Sequence, residues 1–417
     1  MRRLIPGLLR DRTFRRFWTG QTVSLFGDQI ALLAVPLTAV LILHANAAQM
    51  GYLTAAELLP SLLFSLLAGA RVDRRGRRRH TMLVADVARA VLMATIPAGY
   101  LLGILSLPQL YLVAFATGTF DVLFFVSYHT LFVSIVPPER YVEGNSLLNG
   151  SRAMSFVGGQ SLAGILVSLL TAPGALLLNA VSFVGSALAL ARIRPEEPPT
   201  AEPGPGQLRA GVRFIAQSPV VRAALGATAT VNFFNFVFYA IFVLYATTEL
   251  HVRPAELGLV LGAGAVGGLI GAAVTTPISK RIGVGPAFIV SCAVFPAPLL
   301  LVPLASGARP VILALLFLAE FGTGLGVMIL DISIGAIFAA VIPDEVRSRV
   351  AGAYRTLNYG VRPLGALCGG LLGTALGLRA TLWIAAVGGL LCIGWTLPGP
   401  LRHLKTLPRT PETVAVG

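Results

Sequence analysis

Some twelve predominantly apolar stretches, divided by short polar breaks, constrain what this chain can fold into more than any other feature. They lie near residues 17–43, 48–70, 80–104, 108–135, 145–170, 173–194, 218–248, 255–277, 284–305, 310–339, 350–376 and 379–398. A helix needs ~20 apolar residues to cross the hydrocarbon core of a bilayer. The stretches are continuously apolar rather than alternating, which predicts helices and not the strands of a barrel. Charged residues make up only 12% of the chain, about half the share of a soluble domain. The expected fold class is therefore an all-α membrane protein, with the lipid bilayer as its first partner.

The formal net charge is +14, which in a soluble chain would suggest nucleic acid. Its distribution argues otherwise. If the spans alternate direction, 25 of the 32 basic residues fall on one side of the membrane, and only Arg253, Arg309 and Arg379 on the other. By the positive-inside rule, both termini and the middle linker are then cytoplasmic, in a multi-pass protein of the inner (plasma) membrane. No basic patch is interleaved with exposed aromatics, so no nucleic-acid partner is expected. The first span is too long for a cleaved signal peptide and should remain as a membrane anchor. Cys292, Cys368 and Cys392 all fall inside spans and read as small apolar residues, not as disulfides or metal ligands.

The longest polar interval, RPEEPPTAEPGPGQ at residues 194–207, reads as a flexible linker. It places an N-terminal six-helix bundle at 1–194, a cytoplasmic linker at 195–213, a C-terminal six-helix bundle at 214–400 and a cytoplasmic tail at 401–417. Residues 208–217 suit a short amphipathic surface helix, with Arg209 and Arg213 outward. The halves resemble each other at an offset of about 206, the spacing of two matched spans. That shift carries Asp73-Arg74-Arg75 onto Ser279-Lys280-Arg281, Pro137 and Glu139 onto Pro343 and Glu345, and Gly118 onto Gly324. One residue later, Arg140 meets Arg347 and Gly158 meets Gly365. A parallel repeat of this size is a transporter signature, with the substrate site near the midplane between the halves.

Residues 69–79 read GARVDRRGRRR, six arginines packed between spans 2 and 3. The pattern G-x-x-x-D-R-x-G-R-R, with Gly69, Asp73, Arg74, Gly76 and Arg77, resembles the loop of the major facilitator superfamily. In that family the loop latches the halves together on the cytoplasmic side. By resemblance Asp73 would face the start of span 11, near Val350. The second-half counterpart has Ser279 in place of the aspartate, so one latch should dominate. The phrases FRRFWTGQTVSLFGDQI at 14–30, ADVARA at 85–90 and VPPERYVEGNSLLNG at 136–150 are similar to the branch containing macrolide-type drug and siderophore exporters. Span 5 lacks the proline of the exporters' G-P-x-x-G-G pattern; a related GVRPLGALCGG occurs in span 11. The resemblance implies two pseudo-symmetric six-helix bundles, the major facilitator fold. The implied activity is secondary active export of hydrophobic or amphipathic molecules of a drug, macrolide or siderophore-like kind.

Charges within spans are costly and need a reason. Asp28, Asp121 and Glu320 lie deep. Burial disfavours the ionised form of a carboxylate, so a deep one can take up and release a proton as access alternates. The order of preference for proton coupling is Asp28, then Glu320, then Asp121. Asp28 is also a candidate for binding a cationic substrate, and each carboxylate has the alternative of a neighbouring arginine. Glu57, Arg152 and Arg362 are further in-span charges. Asp86 and Arg89, three residues apart, share a helix face and read as a structural pair. Asp331 and Arg355 sit toward cytoplasmic ends and suit a gate pair. In span 7, Asn232, Phe236 and Tyr239 share one face at helical spacing, and Asn235, Phe238, Tyr239 and Phe242 share another; span 4 adds Phe125 and Tyr128. A polar-aromatic face suits an amphipathic substrate held by stacking and cation–π contact.

No Walker A phosphate loop, HExxH, paired CxxC or haem-ligand pattern occurs, so no cofactor, metal or ATP-driven mechanism is expected. One chain suffices for the fold, and a monomer is expected. The alternatives are a proton-coupled uptake symporter of a small metabolite and, more remotely, a polytopic membrane enzyme or sensor.

Overall fold

The computed structural model describes residues 7–194 and 207–404, with the side chains of 66–75, 207–210 and Ser348 excepted. The apolar stretches become helices, most of them near the expected bounds, and with two short additions the described residues hold fourteen α-helices. They are α1 (Arg12–Leu41), α2 (Ala47–Arg75), α3 (Arg78–Leu101), α4 (Leu107–Ile135), α5 (Tyr141–Leu170) and α6 (Ala172–Ala191). After the linker come α7 (Gln207–Gln217), α8 (Pro219–Thr248), α9 (Pro254–Ile282) and α10 (Val284–Val294). The series closes with the single turn α11 (Leu301–Leu304), α12 (Arg309–Val341), α13 (Asp344–Leu376) and α14 (Leu378–Leu390). Among the described residues, ten helical stretches are long and apolar enough to cross a membrane. Large apolar side chains such as Leu101, Leu112, Leu169 and Leu371 point outward, as suits helix faces turned to lipid.

Local chemistry sets the helix ends. The Asp11 carboxylate accepts from the Phe14 amide at 2.7 Å and caps α1. Ser218 caps α8 by accepting from the Val221 amide, with Pro219 in the first turn, where its missing N–H costs nothing. The ninth apolar stretch does not run through as one helix. It stops at Val294 and resumes as a 3-10 turn at Ala297–Leu300 followed by α11, because Pro296 and Pro298 withhold the amide donors that a continuous helix needs. The surface helix expected at 208–217 is α7, which packs against α13.

The chain forms two compact units. Unit 1 holds α1, α3–α6 and α2 from Ala56 onward, together with Arg253–Gly262 of α9. Its core forms where α1 and α3 pack on α6, α5 on α1 and α4 on α3, around Phe14, Phe17, Met82, Leu131 and Leu190. Unit 2 holds α7, α8, α10–α14 and α9 from Ala263, together with Asn46–Ala55 of α2. Here α8 packs on α13 and α14, and α10 on α12, around Val221, Phe288, Ile337 and Val350. Each unit thus includes the first turns of one helix from the other half of the chain.

Both exchanged segments seat through glycine. In unit 2 a Cβ on Gly51 would stand 2.7 Å from the Ala366 carbonyl and 2.8 Å from the Gly370 Cα. In unit 1 a Cβ on Gly258 would stand 2.6 Å from the Gln160 carbonyl and 2.7 Å from the Gly164 Cα. Real Cβ atoms do not approach backbone that closely, so only glycine permits either crossing. Gly51 and Gly258 are 207 residues apart, and Gly164 and Gly370 are 206 apart. The breaks at Ala55/Ala56 and Gly262/Ala263 follow the same spacing.

The basic segment between α2 and α3 has a turn at Gly76, with φ +60°, a value glycine adopts without strain. Arg79 reaches across to donate to the carbonyls of Leu190 and Ala191 at 2.9 and 3.1 Å, and Arg16 donates to the Arg192 carbonyl at 2.7 Å. Two cations thereby satisfy the orphan carbonyls at the end of α6 and oppose its dipole. The latch side chains Asp73 and Arg74, and the surroundings of Gly69, lie outside the described residues. Arg77 is exposed at the start of α3.

Candidate functional site

Unit 1 contains a cavity of about 290 Å³ between α1, α2, α3, α4 and α6. Three carboxylates line it: Asp28 from α1, Glu57 from α2 and Asp121 from α4. Val35, Met93, Ile96 and Val113 give it an apolar wall. Close packing puts these groups together. Gly27 brings α1 against α6, where a Cβ would collide with Ser182 and Asn179. Gly118 brings α4 against α2, where a Cβ would stand 2.7 Å from the Glu57 carbonyl.

Arg89 anchors the polar end. One guanidinium nitrogen binds Asp86 and the other binds Asp121. Arg89 and Asp86 are 3% and 0% exposed, so the pairing is what makes their burial tolerable. The guanidinium is also sandwiched between rings, with its carbon 4.4 Å from the Phe124 centroid and 4.2 Å from that of Phe183. Asp86 and Arg89 share a face of α3, while Asp121 joins them from a helix 32 residues along the chain. Of the three deep carboxylates named from sequence, Asp121 is therefore the one held in an ion pair. Asp28 lies within the fields of Arg89, Asp121 and Asp86. Glu57, ranked with no role from sequence, and Asn179, not singled out at all, both belong to the cavity lining.

Span 4's aromatics divide. Tyr128 does not line this cavity: it is buried, stacked on Phe17 at 5.5 Å and Phe124 at 6.5 Å in the unit 1 core. Phe125 is exposed, edge-on to His129 at 4.8 Å, and does not line the cavity.

Unit 2 holds a second polar cluster, on α8, α12 and α13. Glu320 is 4% exposed and accepts from the Tyr239 hydroxyl at 3.0 Å. Asn232 donates to the Thr228 carbonyl at 2.9 Å and to the Asn358 side chain at 3.2 Å. The Thr228 hydroxyl in turn lies 2.6 Å from that of Tyr354. The side-chain oxygen of Asn235 is buried without a partner among the described residues. Phe236 lies under Arg362, 5.3 Å away, and Arg362 also covers Tyr359 at 3.8 Å. Phe238 and Phe242, read as part of a cavity face, are instead fully buried and stacked on each other at 5.4 Å. Asp331 is exposed on α12 and within the field of Arg362; Arg355 lies 5.4 Å from the Tyr359 ring. Tyr239→Phe should lower the melting temperature modestly, by the ~1.5–3 kcal/mol of one hydrogen bond to a charged group, and fully if Glu320 gains no other donor. Thermal unfolding of Glu320→Gln with and without Tyr239→Phe isolates that coupling.

The chain matches the Major Facilitator Superfamily over residues 17–360 and again over 224–415. Among curated relatives, the multidrug efflux pump Tap of Mycobacterium tuberculosis is 28% identical over 427 aligned residues, covering 94% of each chain. Tap of Mycolicibacterium fortuitum is 26% identical over 371 residues, covering 85% of this chain and 88% of that one. Among solved structures, a bacterial homologue of the iron transporter ferroportin in an inward-facing state superposes with a TM-score of 0.73 at 18% identity, covering 94% of this chain and 99% of that one. A point variant of the nucleoside transporter NupG gives 0.74 at 11% identity, covering 93% and 99%. Those last two likenesses speak for the fold, and the family match for descent. A helical membrane protein with buried charges at its helix interfaces and this match along nearly its whole length belongs to the major facilitator superfamily of transporters.

Proposed function

We propose that this transporter is a proton-driven exporter of hydrophobic or amphipathic small molecules, working by alternating access from a plasma membrane with both termini in the cytoplasm. The observation that carries the reading is Asp28, a carboxylate on the cavity wall with no hydrogen bond among the described residues. It is free to exchange a proton where Asp121 is committed to Arg89. A proton arriving from outside neutralises Asp28 and weakens its hold on the substrate, which then leaves. Glu320, hydrogen-bonded to Tyr239, is the second candidate carrier. The relatives named as multidrug efflux pumps support the outward direction. Transport of this kind needs no enzyme chemistry and no partner chain.

Purified protein in liposomes, loaded with a fluorescent amphipathic dye and given an imposed pH gradient, tests this. Gradient-driven flux should fall more than about tenfold in Asp28→Asn, the loss of an intramembrane coupling carboxylate, and dye binding should weaken, because the neutral amide mimics the protonated acid. Equal wild-type flux with and without the gradient overturns proton coupling. Accumulation only in the direction of uptake reverses the assignment to a symporter.

A further inference from the structure

We propose that the cavity of unit 1 is a binding site for a monovalent organic cation carried on an apolar body, with Glu57 as the residue that meets its charge. This rests on the export reading only for the direction of movement; the binding itself stands separately.

The charge count comes first. In and directly beneath the cavity stand four carboxylates, Asp28, Glu57, Asp86 and Asp121, and one cation, Arg89. Arg89 has spent both terminal nitrogens on Asp86 and Asp121 and is closed above and below by phenyl rings. Its field reaches Asp28. The neighbouring charge that bears on Glu57 is instead that of Asp121, another anion. A carboxylate on an apolar cavity wall with an anion opposite and no cation needs either a proton or a cationic guest.

The second observation is independent of charge. Thr117 is 6% exposed and Asn179 1% exposed, and both line the cavity. The Thr117 hydroxyl and the Asn179 side-chain nitrogen have no hydrogen-bond partner among the described residues. Buried polar atoms of native proteins are normally satisfied. Both residues line the cavity, whose wall thus carries two unpartnered polar groups beside its carboxylates.

Shape and fixity narrow the guest. Val35, Met93, Ile96 and Val113 would solvate a hydrocarbon body. Among the described residues no group of three or more His, Cys, Asp or Glu is placed to share a metal ion, so the spread-out acids suit a diffuse charge rather than a compact one. Glu57 is well placed to be selective. Pro60 cannot donate to the Ala56 carbonyl, which loosens α2 one residue before Glu57, while Gly118 holds the Glu57 backbone against α4.

The probe is tetraphenylphosphonium, with tetraphenylborate as an anion of the same shape, on the full chain in lipid nanodiscs. The phosphonium should bind, and more tightly as pH rises and protons leave the carboxylates. The charged groups lining the cavity with Glu57 are Asp28 from α1 and Asp121 from α4, with the Asp86–Arg89 pair of α3 behind Asp121; the α6 residues at the cavity, Asn179 and Phe183, carry no charge. Glu57→Gln should weaken phosphonium binding about ten- to a hundredfold, the loss of a charged partner in a desolvated site, and should flatten the pH dependence. Glu57→Asp should retain most of the affinity, and an unchanged melting temperature in both variants shows that the fold is intact. Unaltered phosphonium affinity in Glu57→Gln, or equal binding of the borate, overturns the proposal. Gradient-driven efflux of a neutral amphiphile by Glu57→Gln separates the two readings: it persists if export stands, whatever becomes of the cation site.

Discussion

Replacing Arg89 with alanine is expected to destabilise the protein by about 3–5 kcal/mol, the usual consequence of removing one partner from a buried ion pair. The reason is what remains behind. Asp86 is wholly buried, and one of its oxygens already lacks a hydrogen-bond partner among the described residues. Without the guanidinium it would be an uncompensated charge between α3 and α6. Asp121, half exposed to the cavity, would suffer less. The faces of Phe124 and Phe183 would also lose the cation between them, worth ~0.5–2 kcal/mol each. Arg89→Lys should recover little, because an ammonium is a point charge that cannot serve two carboxylates and two rings in one plane. The measurement is thermal unfolding in detergent. Asp86→Asn in the Arg89→Ala background should restore a substantial part of the loss, since the orphaned charge would be gone. If the double variant melts no higher than the single one, the buried charge is not the source of the instability.

The second large effect is expected at the glycine crossings. Leucine at Gly164 or Gly258 would set a Cβ 2.5 or 2.6 Å from a backbone carbonyl. Backbone has no rotamer with which to yield, so the closed crossing is disfavoured by at least the ~1–3 kcal/mol of an overpacked contact. The remainder of unit 1 does not need that crossing to hold its core. Transport should therefore fall about ten- to a hundredfold, as the population shifts away from the state with the crossing closed, with a smaller change in melting temperature. Gly51→Leu and Gly370→Leu should behave alike in unit 2. Alanine at Gly150 or Gly335, where a Cβ meets nothing within 4 Å, serves as the control and should transport normally. The prediction fails if the leucine variants keep wild-type flux.

Much of this was legible in the residues, for physical reasons that also set the limit. Apolar length reports a membrane helix directly, so the spans fall close to their expected bounds. The repeat was visible because loop residues such as Asp73-Arg74-Arg75 and Ser279-Lys280-Arg281 keep one offset. A three-residue spacing places Asp86 beside Arg89 on any helix. The third member, Asp121, depends on how α4 packs against α3, and no local pattern encodes that. Periodicity puts Phe236 on one face of α8 and Phe238 and Phe242 on another, but does not say which face meets the core and which meets Arg362, because that depends on what lies opposite. Asn179 was invisible for the same reason. Apolar length alone predicts one continuous helix over 284–305, but the backbone obeys the missing donors of Pro296 and Pro298.

The two crossings place one steric demand twice. Gly51 against Gly370 and Gly164 against Gly258 each leave no room for a side chain. A Cβ introduced at any one of the four therefore spoils its own crossing and leaves the twin untouched, so each position has to hold glycine on its own account.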